Sequence, residues 1–182
     1  MMNRQEALEL VRSHVKNKNL VKHMLATEAV MIRLARHFGE DEEMWALAGL
    51  LHDLDYDQTV DDFPRHGLVT AEILEGLDVD SRIIDAIKAH PGHQEAKSRM
   101  DKALYAVDPL TGLIVAATLM HPSKKLRQVD VDFVLHRYKE KRFAAGANRE
   151  QIASCQDLDL DLETFVGLAL EGMQSIDDQL GL

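Results

Sequence analysis

His52 and Asp53 stand side by side at the end of an apolar run, Ala46 to Leu51. An imidazole and a carboxylate set against Leu-rich surface cost on the order of several kcal/mol unless something neutralises them. A divalent cation would do so, since imidazole nitrogen and carboxylate oxygen both suit zinc, manganese or iron. One pair cannot hold an ion alone. The other residues of suitable type at helix ends or on core faces are His23, His66, His90 and Asp108. Each has a plain alternative: a satisfied core histidine, a helix-end histidine favoured by the dipole, or a capping aspartate.

The elements that must position these residues read as helices throughout, with no strand alternation, repeat or low-complexity linker. Gln5 to Lys16 is a first amphipathic helix. Leu20 to Phe38 is a longer one, stopped by Gly39. His23 shares its inner face with Ala26, Val30 and Leu34. Asp41 caps a helix over Glu42 to Asp53, which leaves Asp53 at the negative end of a dipole and sharpens its need for a cation. Asp55, Asp57, Asp61 and Asp62 follow in a polar connection, expected to be solvated. Asp57 is kept as an acid/base or supporting candidate. Pro64 opens a helix running to Leu74 or Glu75, with His66 in its first turn. A further helix from Asp80 or Ser81 ends at His90, before Pro91-Gly92. Asp101 caps the next helix, in which Asp108 lies beside Pro109. The apolar run Gly112 to Met120 continues it. Helices over Val131 to Lys141, Arg149 to Cys155 and Leu162 to Leu180 complete an all-α domain.

The order of the ligand types is a His, an adjacent His-Asp, two more His and an Asp. In this order the chain resembles the HD-domain superfamily of metal-dependent phosphohydrolases, over roughly Leu20 to Met120. The resemblance implies a single-domain helical bundle with an interior metal site, and a C-terminal helical extension over 121–182. It implies that His23, His52, Asp53 and Asp108 hold one ion, and that Asp53 bridges to a second completed by His66 and His90. His93 competes with His90; His90 is preferred because it belongs to the helix. One or two divalent ions (Mn, Fe, Ni, Co or Zn) would activate water for attack on phosphorus. Asp53 and Asp57 are the catalytic candidates. Many members read His-Asp-Ile-Gly-Lys; here Tyr56 stands in place of the Lys, and the Gly-Tyr-Pro signature of cyclic-dinucleotide phosphodiesterases does not follow His90. Two other readings share the ligands: a di-iron oxygenase, and a non-catalytic nucleotide-binding module.

Composition bounds the rest. The chain has 182 residues and 46% hydrophobic content, suited to one globular domain. Cys155 has no partner for a disulfide, no apolar leader is apparent, and no apolar run approaches a membrane span, so the cytoplasm is expected. Net charge is -10, which argues against a nucleic-acid polymer as partner, and with no span-length apolar run no membrane partner is expected. The charge is uneven: Glu40 to Phe63 carries nine acidic residues and no Lys or Arg, while His121 to Gln151 carries eight basic residues against four acidic. A small anionic phosphorylated substrate is therefore expected, with Lys139, Lys141, Arg142 and Arg149 as contacts to test.

Overall fold

The structure, a computed structural model, describes residues 1–182 and contains helices and turns but no strand. Helix α1 (Arg4–His14) opens on a capping box between Asn3 and Glu6. It lies on α2 (Lys18–Phe38) and α3 (Glu42–Leu51), which form the most extensive helix pair. Their close approach depends on Gly49, where a Cβ would stand 2.8 Å from Glu28 Cα. Glu28 is buried there and takes two hydrogen bonds from the Arg4 guanidinium, at 2.6 and 2.9 Å. The first three helices are thus locked by one charged pair and one missing side chain.

A short α4 (Tyr56–Thr59) leads to a 3-10 turn over Phe63–Arg65, then to α5 (Leu68–Glu75). The single helix expected from Pro64 is therefore broken at His66-Gly67. Gly67 takes φ +78°, and a Cβ there would meet Pro91 at 3.0 Å and the Ile87 carbonyl at 3.1 Å. This break turns His66 toward the interior rather than leaving it on a helix surface.

Helix α6 (Ser81–Ala89) ends on His90, and α7 (Arg99–Met120) is the axis around which α2, α6, α8 and α9 pack. Ser98, not Asp101, is its N-cap; Asp101 is the partner that closes the capping box. Against the expectation from sequence, α7 is long and apolar enough to cross a membrane by length and composition. Here more than half of that stretch is buried by neighbouring helices of the same chain.

The C-terminal part comprises α8 (Val131–Lys139), α9 (Arg149–Ala153), a 3-10 turn over Ser154–Leu158, α10 (Leu162–Gln174) and α11 (Asp177–Leu180). The long closing helix expected to Leu180 stops at Gln174, and Asp177 turns to pair with Arg127. One cluster of 45 buried apolar residues runs from Ala7 to Leu180, so this segment shares the core of the rest.

Candidate metal centre

Six side chains from five parts of the chain meet in the interior. His23 comes from the second turn of α2, His52 and Asp53 from the end of α3, His66 from the break before α5, His90 from the end of α6, and Asp108 from the middle of α7. They form two groups joined by Asp53. Around Asp53 Oδ2 stand His23 Nε2 at 3.4 Å and His52 Nε2 at 3.3 Å. Asp108 Oδ1 lies 3.0 Å from His23 Nε2 and 3.5 Å from His52 Nε2. Around Asp53 Oδ1 stand His66 Nε2 at 3.2 Å and His90 Nε2 at 3.5 Å, themselves 3.2 Å apart. Ligand atoms bound at about 2.1 Å in a tetrahedral or octahedral shell are separated by roughly 3.0–3.4 Å. The spacing therefore fits two ion-sized centres sharing one carboxylate.

The proton positions sharpen this. His52 Nδ1 donates to the Gly49 carbonyl at 2.8 Å and His90 Nδ1 to the Ile87 carbonyl at 2.6 Å. His66 Nδ1 donates to Asp55 Oδ1 at 2.8 Å. The Thr111 hydroxyl lies 3.0 Å from both the Asp108 carbonyl and His23 Nδ1; donating to the carbonyl, it accepts from the ring nitrogen in the tautomer that frees Nε2 for an ion. All four outer nitrogens thus carry hydrogen, and in the neutral rings all four Nε2 lone pairs point at one another and at two carboxylates. Such a cluster needs positive charge in its middle. Without an ion, protons supply it. Burial opposes the charged form of His23, but Asp108 and Asp53 outweigh it and raise its pKa to about 9. His66, opposed by burial in the same way, is raised to about 9 by Asp53 and Asp55. The same contacts, working against desolvation, hold Asp53 and Asp108 well below the usual carboxylate range. The donor set fits divalent transition metals.

Asp55 is the residue the sequence reading missed. It is fully buried, not solvated. Besides His66 it binds the backbone N–H of Gly67 at 2.7 Å and of Thr70 at 2.9 Å, and so caps α5 from outside. No signal in the sequence marks it: the pattern reads as one helix from Pro64, and the start at Gly67, which has no local side-chain cap, is visible only in the structure. Asp57, by contrast, is exposed and accepts from the Lys16 backbone N–H at 2.9 Å; it does not line the site. His93 donates from Nε2 to the His66 carbonyl at 2.7 Å and lies outside both groups.

The centre opens into a cleft of about 770 Å³ whose lining contains no Lys or Arg. Lys139, Lys141 and Arg142 are exposed and do not line it. Arg149 is committed elsewhere. Its guanidinium donates to the carbonyls of Arg137, Tyr138, Glu140, Phe143, Ala144 and Ala147, and so folds the 139–148 turn around itself. The same segment reaches the cleft through Asn148 and Gln151 instead. Pro109 has no N–H, which leaves the Tyr105 carbonyl without its helical donor. Gln151 Nε2 fills that gap at 2.8 Å and fastens α9 beside Asp108.

A helical bundle that brings imidazoles and carboxylates from facing helices to one interior point is the architecture of a metal-binding α protein. The chain belongs to the HD domain family, whose match covers residues 20–133. This is a family of metal-dependent phosphohydrolases. Among curated proteins, Ribonuclease Y of Sulfurovum sp. is 29% identical over 136 residues, 73% of this chain and 27% of the relative. Ribonuclease Y of Staphylococcus epidermidis is 28% identical over 170 residues, 90% of this chain and 32% of the relative. That of Wolinella succinogenes is 34% identical over 94 residues, 52% of this chain and 18% of the relative. The chain spans about a third or less of the length of these relatives. No solved structure matches it. These names correct the expectation of a small metabolite with nucleic acid excluded. Net charge is a poor guide here, because phosphate would be neutralised by cations at the centre rather than by Lys or Arg.

Proposed function

We propose that this chain is a metal-dependent phosphodiesterase domain acting on ribonucleotide chains. The observation that carries the reading is the convergence of four imidazole Nε2 atoms on two carboxylates at the base of an open cleft. Divalent ions held there would acidify a coordinated water and neutralise charge developing on a phosphate. The chain's own residues do the rest. Asp53 offers one carboxylate oxygen to each half of the centre. Asp55, Thr111 and the Gly49 and Ile87 carbonyls fix the ring orientations. Burial keeps His52, Asp53, His66 and His90 out of competing water, while His23 and Asp108 border the cleft. The relatives' names support RNA as the substrate class. Residues 121–182 belong, in this reading, to the same functional unit, because Asn148 and Gln151 form part of the cleft wall.

The test is elemental analysis of the purified protein, followed by hydrolysis of bis(p-nitrophenyl) phosphate and of a short RNA with added manganese. Bound transition metal, cleavage of both esters, and loss of both metal and cleavage in Asp53→Ala are expected. A protein that takes up no metal on reconstitution with manganese, iron or nickel would refute it. Redox-active iron together with no ester cleavage would refute it equally.

A further inference from the structure

The cleft lining has two unlike parts. One carries Tyr56, Val60 and Phe63, which are 41%, 59% and 61% exposed. These are three of the seven large apolar residues exposed on the whole molecule, and all three line this cleft. Tyr56 meets the His66 ring edge-on at 5.7 Å, and the Phe63 ring lies 5.8 Å from His66 and 6.4 Å from His93. The aromatic wall thus begins one ring away from the half of the centre formed by Asp53, His66 and His90. The rest of the lining includes four carboxamides, Asn17, Asn19, Asn148 and Gln151. Asn148 uses its side-chain oxygen to cap α9, which leaves its NH2 as a donor; Gln151 uses its NH2 on Tyr105, which leaves its oxygen as an acceptor.

We propose that this cleft contains a nucleobase subsite, in which the base next to the phosphate at the centre stacks on Phe63 and Tyr56 and meets the carboxamides with its edge. The inference rests on the phosphodiesterase reading and adds to it the part of the substrate that is recognised. Every base has a flat π face, so stacking on Phe and Tyr is tolerant of sequence, and the exposed rings leave that face uncovered. Asn and Gln amides match the mixed donors and acceptors of base edges. The absence of Lys and Arg from the lining disfavours a second phosphate joined directly to the first, as in a nucleoside polyphosphate, because that charge would find no partner inside the cleft. It suits a substrate that places one phosphate at the metals and a base, not a further phosphate, in the cleft. The volume, about 770 Å³, accommodates a nucleotide.

The experiment compares two ligands with the same phosphate, AMP and ribose 5-phosphate, binding to the manganese-loaded protein by calorimetry. AMP is expected to bind roughly 5- to 150-fold more tightly, the ratio that one stacked base supplies. Phe63→Ala is expected to abolish most of that ratio while leaving ribose 5-phosphate affinity and metal content unchanged; Phe63→Trp is expected to retain it. Because Phe63 is an exposed residue, the Ala variant keeps the fold, which circular dichroism checks. Equal affinity of the two ligands in the wild type overturns the subsite but leaves the phosphodiesterase reading standing. So does an AMP preference unchanged in both Phe63→Ala and Tyr56→Ala. A shift from dimer to monomer in Phe63→Ala with no change in AMP preference would make the wall an interface between copies, and overturns the proposal. Failure of both ligands to bind, with no ester cleaved, sinks the underlying reading as well.

Discussion

Asp55→Asn removes one charge and one acceptor from a fully buried carboxylate. In the native protein that carboxylate accepts from His66 Nδ1 at 2.8 Å, Gly67 N at 2.7 Å and Thr70 N at 2.9 Å. Asn keeps one carbonyl oxygen. The two backbone donors are fixed, so the oxygen turns to them and the NH2 faces His66. Two donors would then oppose each other across that contact. His66 relieves the clash by moving its proton to Nε2 and accepting at Nδ1. Its lone pair is thereby withdrawn from the centre, where Nε2 lies 3.2 Å from Asp53 Oδ1. Loss of such a supporting partner costs about 10–100-fold in metal affinity. The weakened, formerly charge-assisted bonds cost about 1–3 kcal/mol of stability, a fall of several degrees in Tm for a chain of this size. The assay is manganese titration of the chelated protein, with bound metal counted by elemental analysis. The expected result is selective weakening of the ion on the His66–His90 side, with the His23–His52–Asp108 side retained. Asp57→Asn serves as the control and should change neither. Unaltered stoichiometry and affinity in Asp55→Asn would refute the claim that this hydrogen bond sets the His66 tautomer.

Three further outcomes follow from the same geometry. His93→Ala should leave metal content nearly unchanged, since His93 holds only the His66 carbonyl; metal loss equal to that of His90→Ala would show the wrong histidine was chosen. Gly172→Ala places a Cβ 2.8 Å from the Ala29 carbonyl and 3.0 Å from Val30 Cα. Overpacking of about 1–3 kcal/mol outweighs a helix-propensity gain of at most about 1 kcal/mol, so thermal melting should shift downward, whereas Gly112→Ala, with open space around it, should shift it upward or leave it unchanged. In the metal-free protein, His23 and His66 have pKa values raised to about 9, above about 6.5 for an unfolded imidazole. Their ion pairs therefore stabilise fully below about pH 6.5 and are lost as pH rises through about 9. Melting of chelated protein across that window should fall more steeply than melting of the manganese-loaded form, and parallel curves would contradict the proton-for-metal exchange.

The sequence by itself determined the helical class and the identity of the six ligand candidates. Apolar spacing at helical period is a local property, and the order of His23, His52-Asp53, His66, His90 and Asp108 needs no third dimension to be read. It also marked Gly39 and Asp41 as helix punctuation, because capping is chemistry between near neighbours. What it left open involves partners far apart in the chain. Asp55 and Asp57 are indistinguishable in an acidic stretch; only the docking of the start of α5 against the turn after α3 buries one and leaves the other in water. Arg149 reads as a free cation until the 139–148 turn wraps its carbonyls around it. Pro109 announces an orphaned carbonyl, but that Gln151 supplies the missing donor depends on where α9 packs. The basic segment pointed to substrate contacts because charge was counted along the chain. Folding turned Lys139, Lys141 and Arg142 outward and lined the cleft with aromatics and amides, because which side chains face one another is decided by helix packing and not by their distance in sequence.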